Sequence, residues 1–360
     1  MTRMKDIAED LGISLVTVSK AFNNHSDISA ATKERVLRRM RELNYQPSLH
    51  AQGLASGRSF MMGFIVPDLV HAFFSEVAKN LSSVLKTKGY GLIISSSDED
   101  PTSEQVEIDQ MIRRRVDVLL LASCQSNPDS LSRLSDQNIP YILIDRTFQR
   151  AKDNFVGTDD VLVGEMATEH LIGLGRRRIA HIGGQLVSPS IDRRKGYKNA
   201  LARHKIRVDA DYVVSRSRGD ESGDITGGQA MERLLKLDAR PDAVFCYNDP
   251  AAIGAMSAIL DAGLRIPEDI AVVGCGNIRY SESLRVPLTS VDVSSSMLGE
   301  TAGKLALQLV KGGKSVMPRQ ILVPPKLVVR QSSAGDAVEN AGARTGKKTK
   351  TKSSQRLSST

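Results

Sequence analysis

Six side chains within nine residues, Leu15, Val16, Thr17, Ser19, Lys20 and Asn23, are of the kinds that read double-stranded DNA. The hydroxyls of Thr17 and Ser19 and the amide of Asn23 suit phosphate oxygens and base edges, and Lys20 can reach the acceptor atoms of guanine. Leu15 and Val16 are poor surface residues in water but good partners for thymine methyl groups. These groups act together only on the exposed face of one helix.

The flanking sequence builds that helix. Ile7, Ala8 and Leu11 form an apolar stripe at helical spacing, and Val18, Ala21 and Phe22 form a second. Gly12 stands where the first helix must stop in a left-handed conformation, and Ser14 is placed to cap the next one through its hydroxyl. A third helix, capped by Ser29, carries Val36, Met40 and Leu43 on one face. So small a core packs three helices and leaves the second exposed, the geometry of a helix-turn-helix whose second helix enters the major groove. A three-helix protein-interaction module is the alternative, and the outer face of the second helix favours DNA.

Four motifs stand in order between Met4 and about Gly63: Asp6-Ile7-Ala8, Gly12-Ile13-Ser14, Thr17-Val18-Ser19 and Leu43-Asn44-Tyr45-Gln46-Pro47. In them the chain resembles the LacI/GalR (lactose-repressor-like) family of transcription regulators, and a bare helix-turn-helix would lack the Asn-Tyr-x-Pro exit. The resemblance implies a DNA-binding domain over 1–48 and a hinge over 49–58 that forms a short helix on DNA. It puts Ala51 among the DNA contacts and makes Leu54 the residue that wedges into the minor groove at the operator centre. A leucine acts this way by prying apart a base step and bending the duplex. As an ordinary linker residue it would pack against the next domain instead.

The 360 residues allow a small domain plus one large or two medium ones, and 41% hydrophobic content supports a sizeable core. The net charge of +8 is uneven: residues 1–60 carry +3, residues 341–360 carry +6 with no acid, and the middle carries −1. Basic ends suit nucleic acid, and the middle does something else. From about Ser332 the composition turns to Ser, Thr, Gly, Ala and Lys without periodicity, which predicts a disordered basic tail over 332–360. Such a tail is either simply solvated or weakly attracted to DNA. Cys124, Cys246 and Cys275 stand far apart, and an odd count without a disulfide framework fits a reducing cytoplasm. The N-terminus shows no apolar signal region and no run approaches a membrane span, so a cytoplasmic protein is expected.

In the middle, short apolar runs alternate with amphipathic helices. Strands are expected at 60–66, 92–94, 118–122 and 141–144, and the rhythm restarts after Arg150 with strands at 179–182, 212–214, 243–247 and 270–274. A helix over 297–310 and strands at 321–323 and 327–329 close the pattern. The whole reads as a small all-α helix-turn-helix domain followed by an α/β core over 59–331, made of two doubly wound parallel-sheet subdomains of similar size.

Landmarks in that core extend the resemblance to about nine-tenths of the chain: Val66-Pro67-Asp68 followed by Phe73-Phe74, Ile144-Asp145-Arg146, Arg193-Arg194-Lys195-Gly196-Tyr197 and Asn248-Asp249. They look like a periplasmic-binding-protein-like core that holds a small ligand between its subdomains. Asp145 and Asn248 each follow an apolar strand, at the edge where α/β proteins bind ligands. A carboxylate and an amide there can fix the hydroxyls of a polyol. Asp145 has a plainer alternative as a helix cap or a partner of Arg146. The resemblance gives Arg193 a ligand contact, though two more basic residues follow it and a solvated surface charge competes. Phe73 is the candidate to stack on a ligand ring, with Phe73 or Phe74 claimed by the core.

One departure matters. Where the family usually reads Gly-[Phe/Tyr]-Asp-[Asp/Asn], this chain reads Gly274-Cys275-Gly276-Asn277, so the carboxylate that usually grips a sugar hydroxyl is replaced by Gly276. Arg193 and Asn248 would then face only Asp145, which favours a sugar acid over a neutral hexose unless Asp159 stands in.

Enzyme signatures fail. Gly312-Gly313-Lys314-Ser315 looks like the end of a phosphate loop, but Gln308 stands where the first glycine belongs. Gly183-Gly184 lacks the third glycine of a dinucleotide fingerprint, the six histidines show no metal spacing, and no Gly-x-Ser-x-Gly elbow occurs. No catalytic residue, metal or cofactor is expected. A transporter's solute-binding protein would share the core but not the helix-turn-helix. The expectation is therefore a DNA-binding transcription regulator, most often a repressor in this family. It would act as a homodimer on a near-palindromic operator, under a sugar or sugar-acid effector.

Overall fold

The computed structural model describes residues 2–45, 57–148, 153–215, 223–312 and 317–334. Ala51 and Leu54 lie outside the described residues. The chain divides into two units, Met1–Phe60 and Met61–Thr360.

In the first unit, helix α1 (Met4–Leu11) stops at Gly12, which takes φ +63°, a conformation glycine adopts without steric cost. Helix α2 (Leu15–Phe22) is capped by the Ser14 hydroxyl, which accepts the Thr17 amide at 3.0 Å. Ser29 does the same for Thr32 at 3.2 Å ahead of α3 (Ala30–Glu42). Ile7, Ala8, Val18, Ala21, Val36 and Met40 are buried together, with Leu11, Phe22, Leu43 and Tyr45 at the margin. Arg39 pairs with Asp10 and Arg35 donates to the Leu11 carbonyl, so polar contacts tie α3 to α1.

The second unit opens with strands β1 (Met61–Val66), β2 (Gly91–Ser96), β3 (Val118–Leu121), β4 (Tyr141–Ile144) and β5 (Asn154–Thr158). Between them run helices α4 (Ala72–Lys86), α5 (Pro101–Arg113) and the short α6 (Ser132–Asp136). There follow α7 (Asp160–Gly173), β6 (Ile179–Ile182), α8 (Ser188–Arg203), β7 (Val213–Val214), α9 (Gly223–Leu235), β8 (Ala243–Cys246), α10 (Asp249–Asp261), β9 (Ala271–Cys275) and β10 (Thr289–Asp292). The chain closes with α11 (Ser295–Gly312), β11 (Gln320–Val323), β12 (Lys326–Val328) and α12 (Gln331–Ala334).

Two six-stranded sheets result, in the orders β11-β5-β4-β3-β1-β2 and β12-β10-β9-β8-β6-β7. Every pairing is parallel except β12 on β10. The inner strands β1, β3, β4, β6, β8 and β9 are buried along nearly their whole length, which is why they read as continuous apolar runs, whereas the edge strands β2, β7 and β11 are partly exposed. The lobes are not consecutive halves of the chain, which crosses between the sheets after β5, after β10 and between β11 and β12. Helix α11 returns to the first lobe, where Gly299 lies directly against the Val77 carbonyl of α4.

Two strands escape the sequence pattern. The β5 run Asn154-Phe-Val-Gly-Thr is broken by Gly157, whose missing side chain makes room for the Phe155 ring. In β10, Thr289 and Ser290 are buried but polar, their hydroxyls donating to the Arg330 carbonyl at 2.9 Å and to Asp249 at 2.6 Å. The tail boundary also moves. Ser332 is buried in α12, accepting the Thr289 amide at 2.8 Å and donating to the Val272 carbonyl at 2.7 Å. The core therefore runs to Ala334, and the expected disorder beyond it lies outside the described residues. No described helix is long and apolar enough to cross a membrane.

One buried group makes the core sensitive to acid. His181 on β6 lies between the rings of Tyr197 and Phe245, with centroids 5.3 and 5.0 Å away, and its Nδ1 meets the Phe245 carbonyl at 3.0 Å. Burial pushes the imidazole down to about 4 from 6.5. On lowering the pH, the unfolded chain takes up this proton first. The stability present above pH 6.5 is then lost progressively towards pH 4, by up to about 3 kcal/mol. Urea unfolding of His181→Phe over that range should show a shallower acid loss than the parent. An identical slope would assign the loss to other groups.

Candidate functional site

On α2, Leu15 and Val16 are 49% and 62% exposed, Asn23 is exposed, and Thr17, Ser19 and Lys20 are half-buried, so none of the six is spent in the core. Two of them already have local partners. The Lys20 ammonium pairs with Asp27, and the Thr17 hydroxyl lies 2.9 Å from that of Ser14. Lys20 must exchange that partner to reach a base.

The second candidate site is a cavity of about 680 Å³ walled by both lobes at the carboxyl ends of their strands. Phe73, Asp145, Arg193, Asn248 and Gly276 all line it. Asp145 follows β4 directly and takes φ +61°, an uncommon conformation for a residue with a side chain. It is buried, and among the described residues no hydrogen-bond donor reaches its carboxylate. Burial raises its pKa, against the pull of Arg193 and Arg146. It neither caps a helix nor hydrogen-bonds Arg146, whose guanidinium forks instead onto Glu99 at 2.7 and 2.8 Å.

Arg193 is buried, not a solvated surface charge. From α8 its Nε donates to Asp160 at 2.7 Å and its Nη1 to the Tyr247 carbonyl at 2.8 Å, with the guanidinium 4.9 Å over the Tyr247 ring. The expectation of an acidic ligand assumed an unpaired Arg193, and this ion pair removes its basis. Asp159 does not stand in either, since its carboxylate caps α7 by accepting the Leu162 amide at 3.0 Å. The neighbouring Asp160 is the residue turned to the arginine.

Asn248 caps α10 through Oδ1, which accepts the Ala251 amide at 3.0 Å. Its Nδ2 lies 3.2 Å from Nε2 of His71, the cap residue of α4, so this contact spans the two lobes. Burial pushes His71 down to about 4, which keeps it neutral near pH 7. Phe73 and Phe74 are both buried and both line the cavity, packed edge to face at 5.0 Å. Gly276 takes φ +123°, so the backbone here demands glycine and an aspartate would be strained. The buried Asp249 holds the following turn, accepting the Ile278 amide at 2.8 Å and the Ser281 hydroxyl at 2.9 Å.

His71, Glu99, Asp160 and Tyr247 were not singled out by sequence. Each is a partner or wall recruited by the packing of lobes and helices, and no motif marks them.

A three-helix DNA-reading unit joined to a two-lobed α/β core with a cleft between its sheets defines a DNA-binding transcriptional regulator. The chain matches "Bacterial regulatory proteins, lacI family" over residues 3–48 and "Periplasmic binding protein-like domain" over residues 168–333. It belongs to the LacI family. It is 30% identical over 337 residues to the HTH-type transcriptional regulator DegA of Bacillus subtilis (strain 168), covering 92% of this chain and 98% of that one. It is 31% identical over 339 residues to the HTH-type transcriptional repressor PurR of Actinobacillus pleuropneumoniae serotype 3 (strain JL03), covering 92% and 98%. Its fold matches the lac repressor dimer bound to operator and the anti-inducer ONPF with a TM-score of 0.81 at 29% identity, covering 92% and 99%.

Proposed function

We propose that this chain is a repressor that binds a near-palindromic operator as a homodimer and is controlled by a small polyhydroxylated effector, a sugar or sugar derivative, held between the lobes. The observation that carries the effector reading is Asp145, a buried residue lining a cavity walled by both lobes, whose carboxylate accepts no hydrogen bond from the described residues. A pair of ligand hydroxyls would satisfy it, with Asn248 and Arg193 beside it and Phe73 against an apolar face of the ring. Gly276 contributes space and no side chain. A ligand gripped by both lobes favours one arrangement of them over another, which is what control of a second site requires.

Leu15, Val16, Thr17, Ser19, Lys20 and Asn23 would read the major groove, and Ala51 and Leu54 would extend the contact into the minor groove. The repressor PurR and the operator-bound lac repressor, both similar to this chain, support that reading. Lys20→Ala tests it. Because the Lys20–Asp27 pair is exposed, its loss should leave thermal stability nearly unchanged. Affinity for an operator selected by the full chain from random duplexes should fall roughly 10- to 100-fold, with little change on random DNA. Equal affinities of parent and variant for the operator would exclude Lys20 as a reader.

A further inference from the structure

The first sheet of the core carries a basic edge. Strands β2, β1 and β3 are neighbours, with Gly91 beside Met61 and Val118 beside Met62, so their amino ends stand level. The chain approaches β2 through residues 86–90 and β3 through residues 113–117. These two approaches hold five cations, Lys86, Lys88, Arg113, Arg114 and Arg115, and one acid, Asp117. All five cations are exposed, and Asp117 is half-buried. Among the described residues none of the five side chains has an ion pair or a hydrogen bond. Arg133, on the same lobe, does find a carboxylate, pairing with Asp109 at 2.6 Å.

Helix dipoles account for a cation in the last turn of α4 and of α5. They do not account for Arg114 and Arg115, which lie past the end of α5. Arg115 even takes φ +54°, a conformation uncommon for a residue with a side chain. Like charges crowded at one edge repel, and a polyanion laid across them relieves the repulsion. Two strand spacings put the starts of β2 and β3 about 10 Å apart. That is wider than one phosphate group and matches about three successive phosphates along one strand of a duplex. Arginine forks suit phosphate oxygens well. The partner favoured is the DNA that the chain already binds. β1 begins at Met61, between the two basic approaches, and only residues 43–60 join it to helix α3 of the DNA-reading unit. So short a tether keeps any duplex held by that unit at high local concentration near the core.

Resting on the operator binding proposed above, we infer that this edge of the core is a second DNA contact, which grips duplex phosphates without reading sequence and adds affinity to what α2 supplies.

The test uses the full chain, with binding to the selected operator and to a random duplex of equal length measured from about 50 to 300 mM salt. The patch variant combines Lys86→Gln, Lys88→Gln, Arg113→Gln, Arg114→Gln and Arg115→Gln. A charge-matched control combines Lys198→Gln, Lys205→Gln, Arg207→Gln, Lys236→Gln and Arg240→Gln, all exposed on the second lobe. Each lost phosphate contact removes about 0.9 from the slope of log affinity against log salt, so the patch variant should be shallower by about 2 or more. Its affinity at about 0.1 M salt should fall ten-fold or more, by the same factor on both duplexes. The control should change the slope by about 0.5 or less. Arg113→Lys, Arg114→Lys and Arg115→Lys together keep the charge and should keep the slope, which separates a lost contact from a damaged fold. Equal slopes in the patch and control variants overturn the inference and leave the edge to an acidic protein or to solvent. A loss confined to the operator overturns it as well, because phosphates carry no sequence. The operator reading is judged separately. If it fails, Lys20→Ala leaves operator affinity unchanged, and the slopes on the random duplex still decide the patch.

Discussion

Replacing Arg193 by leucine should destabilise the α/β core by about 3–5 kcal/mol, the cost of leaving a buried carboxylate without its partner. Arg193 and Asp160 are both buried and joined at 2.7 Å, and the same guanidinium satisfies the Tyr247 carbonyl. Leucine fills part of the volume and none of the polar need. The loss should depend on pH in a definite direction. Burial already raises the Asp160 carboxyl, and without Arg193 it rises further, so the folded variant can shed its charge by taking up a proton. The deficit should be smaller at pH 5 than at pH 8. Arg193→Leu combined with Asp160→Asn should recover much of the loss, since no charge is then stranded. Urea unfolding of the parent, both single variants and the double variant measures the coupling. A loss below about 1 kcal/mol for Arg193→Leu at pH 8 would show that the pair is structurally idle.

What the sequence disclosed about this site is what chain-local physics determines. The caps at Ser14 and Ser29, the stop at Gly12 and the apolar stripes of the three helices involve neighbours within one turn, and all appear where expected. Asp145 and Asn248 were legible because a polar residue at the end of an apolar strand must emerge at the sheet edge. The arginine partners were not. Asp160 lies 33 residues from Arg193 and Glu99 lies 47 from Arg146, and only helix docking and the turn after β2 bring them together. Read without those partners, Arg193 and Gly276 suggested an anionic ligand; with Arg193 paired to Asp160, that argument falls away. Strand β10 was hidden for a related reason. Its inward hydroxyls are satisfied by Asp249 and Arg330, residues far away in sequence, so burial left no apolar run to find.

The other large effect comes from glycine. Helices α7 and α8 meet backbone to backbone: a Cβ on Gly164 would overlap the Arg193 carbonyl oxygen, and one on Gly196 would overlap that of Val161. This close approach is what lets Arg193 on α8 reach Asp160 at the start of α7. Gly164→Val should therefore act on fold and site together. Both obstructing atoms belong to main chain, so no side chain can rotate out of the way and α8 itself must move. Overpacking usually costs 1–3 kcal/mol, and with the backbone on both sides of the contact the loss should be about 3 kcal/mol or more. The displaced Arg193 should weaken effector binding as well. Gly173→Ala, on the last residue of the same helix, is the control, because an added Cβ there meets nothing within 4 Å. Helix propensity alone should make that variant neutral to about 1 kcal/mol more stable. Urea unfolding of the two variants side by side decides the matter, and a Gly164→Val protein as stable as Gly173→Ala would show that the two helices do not depend on this contact.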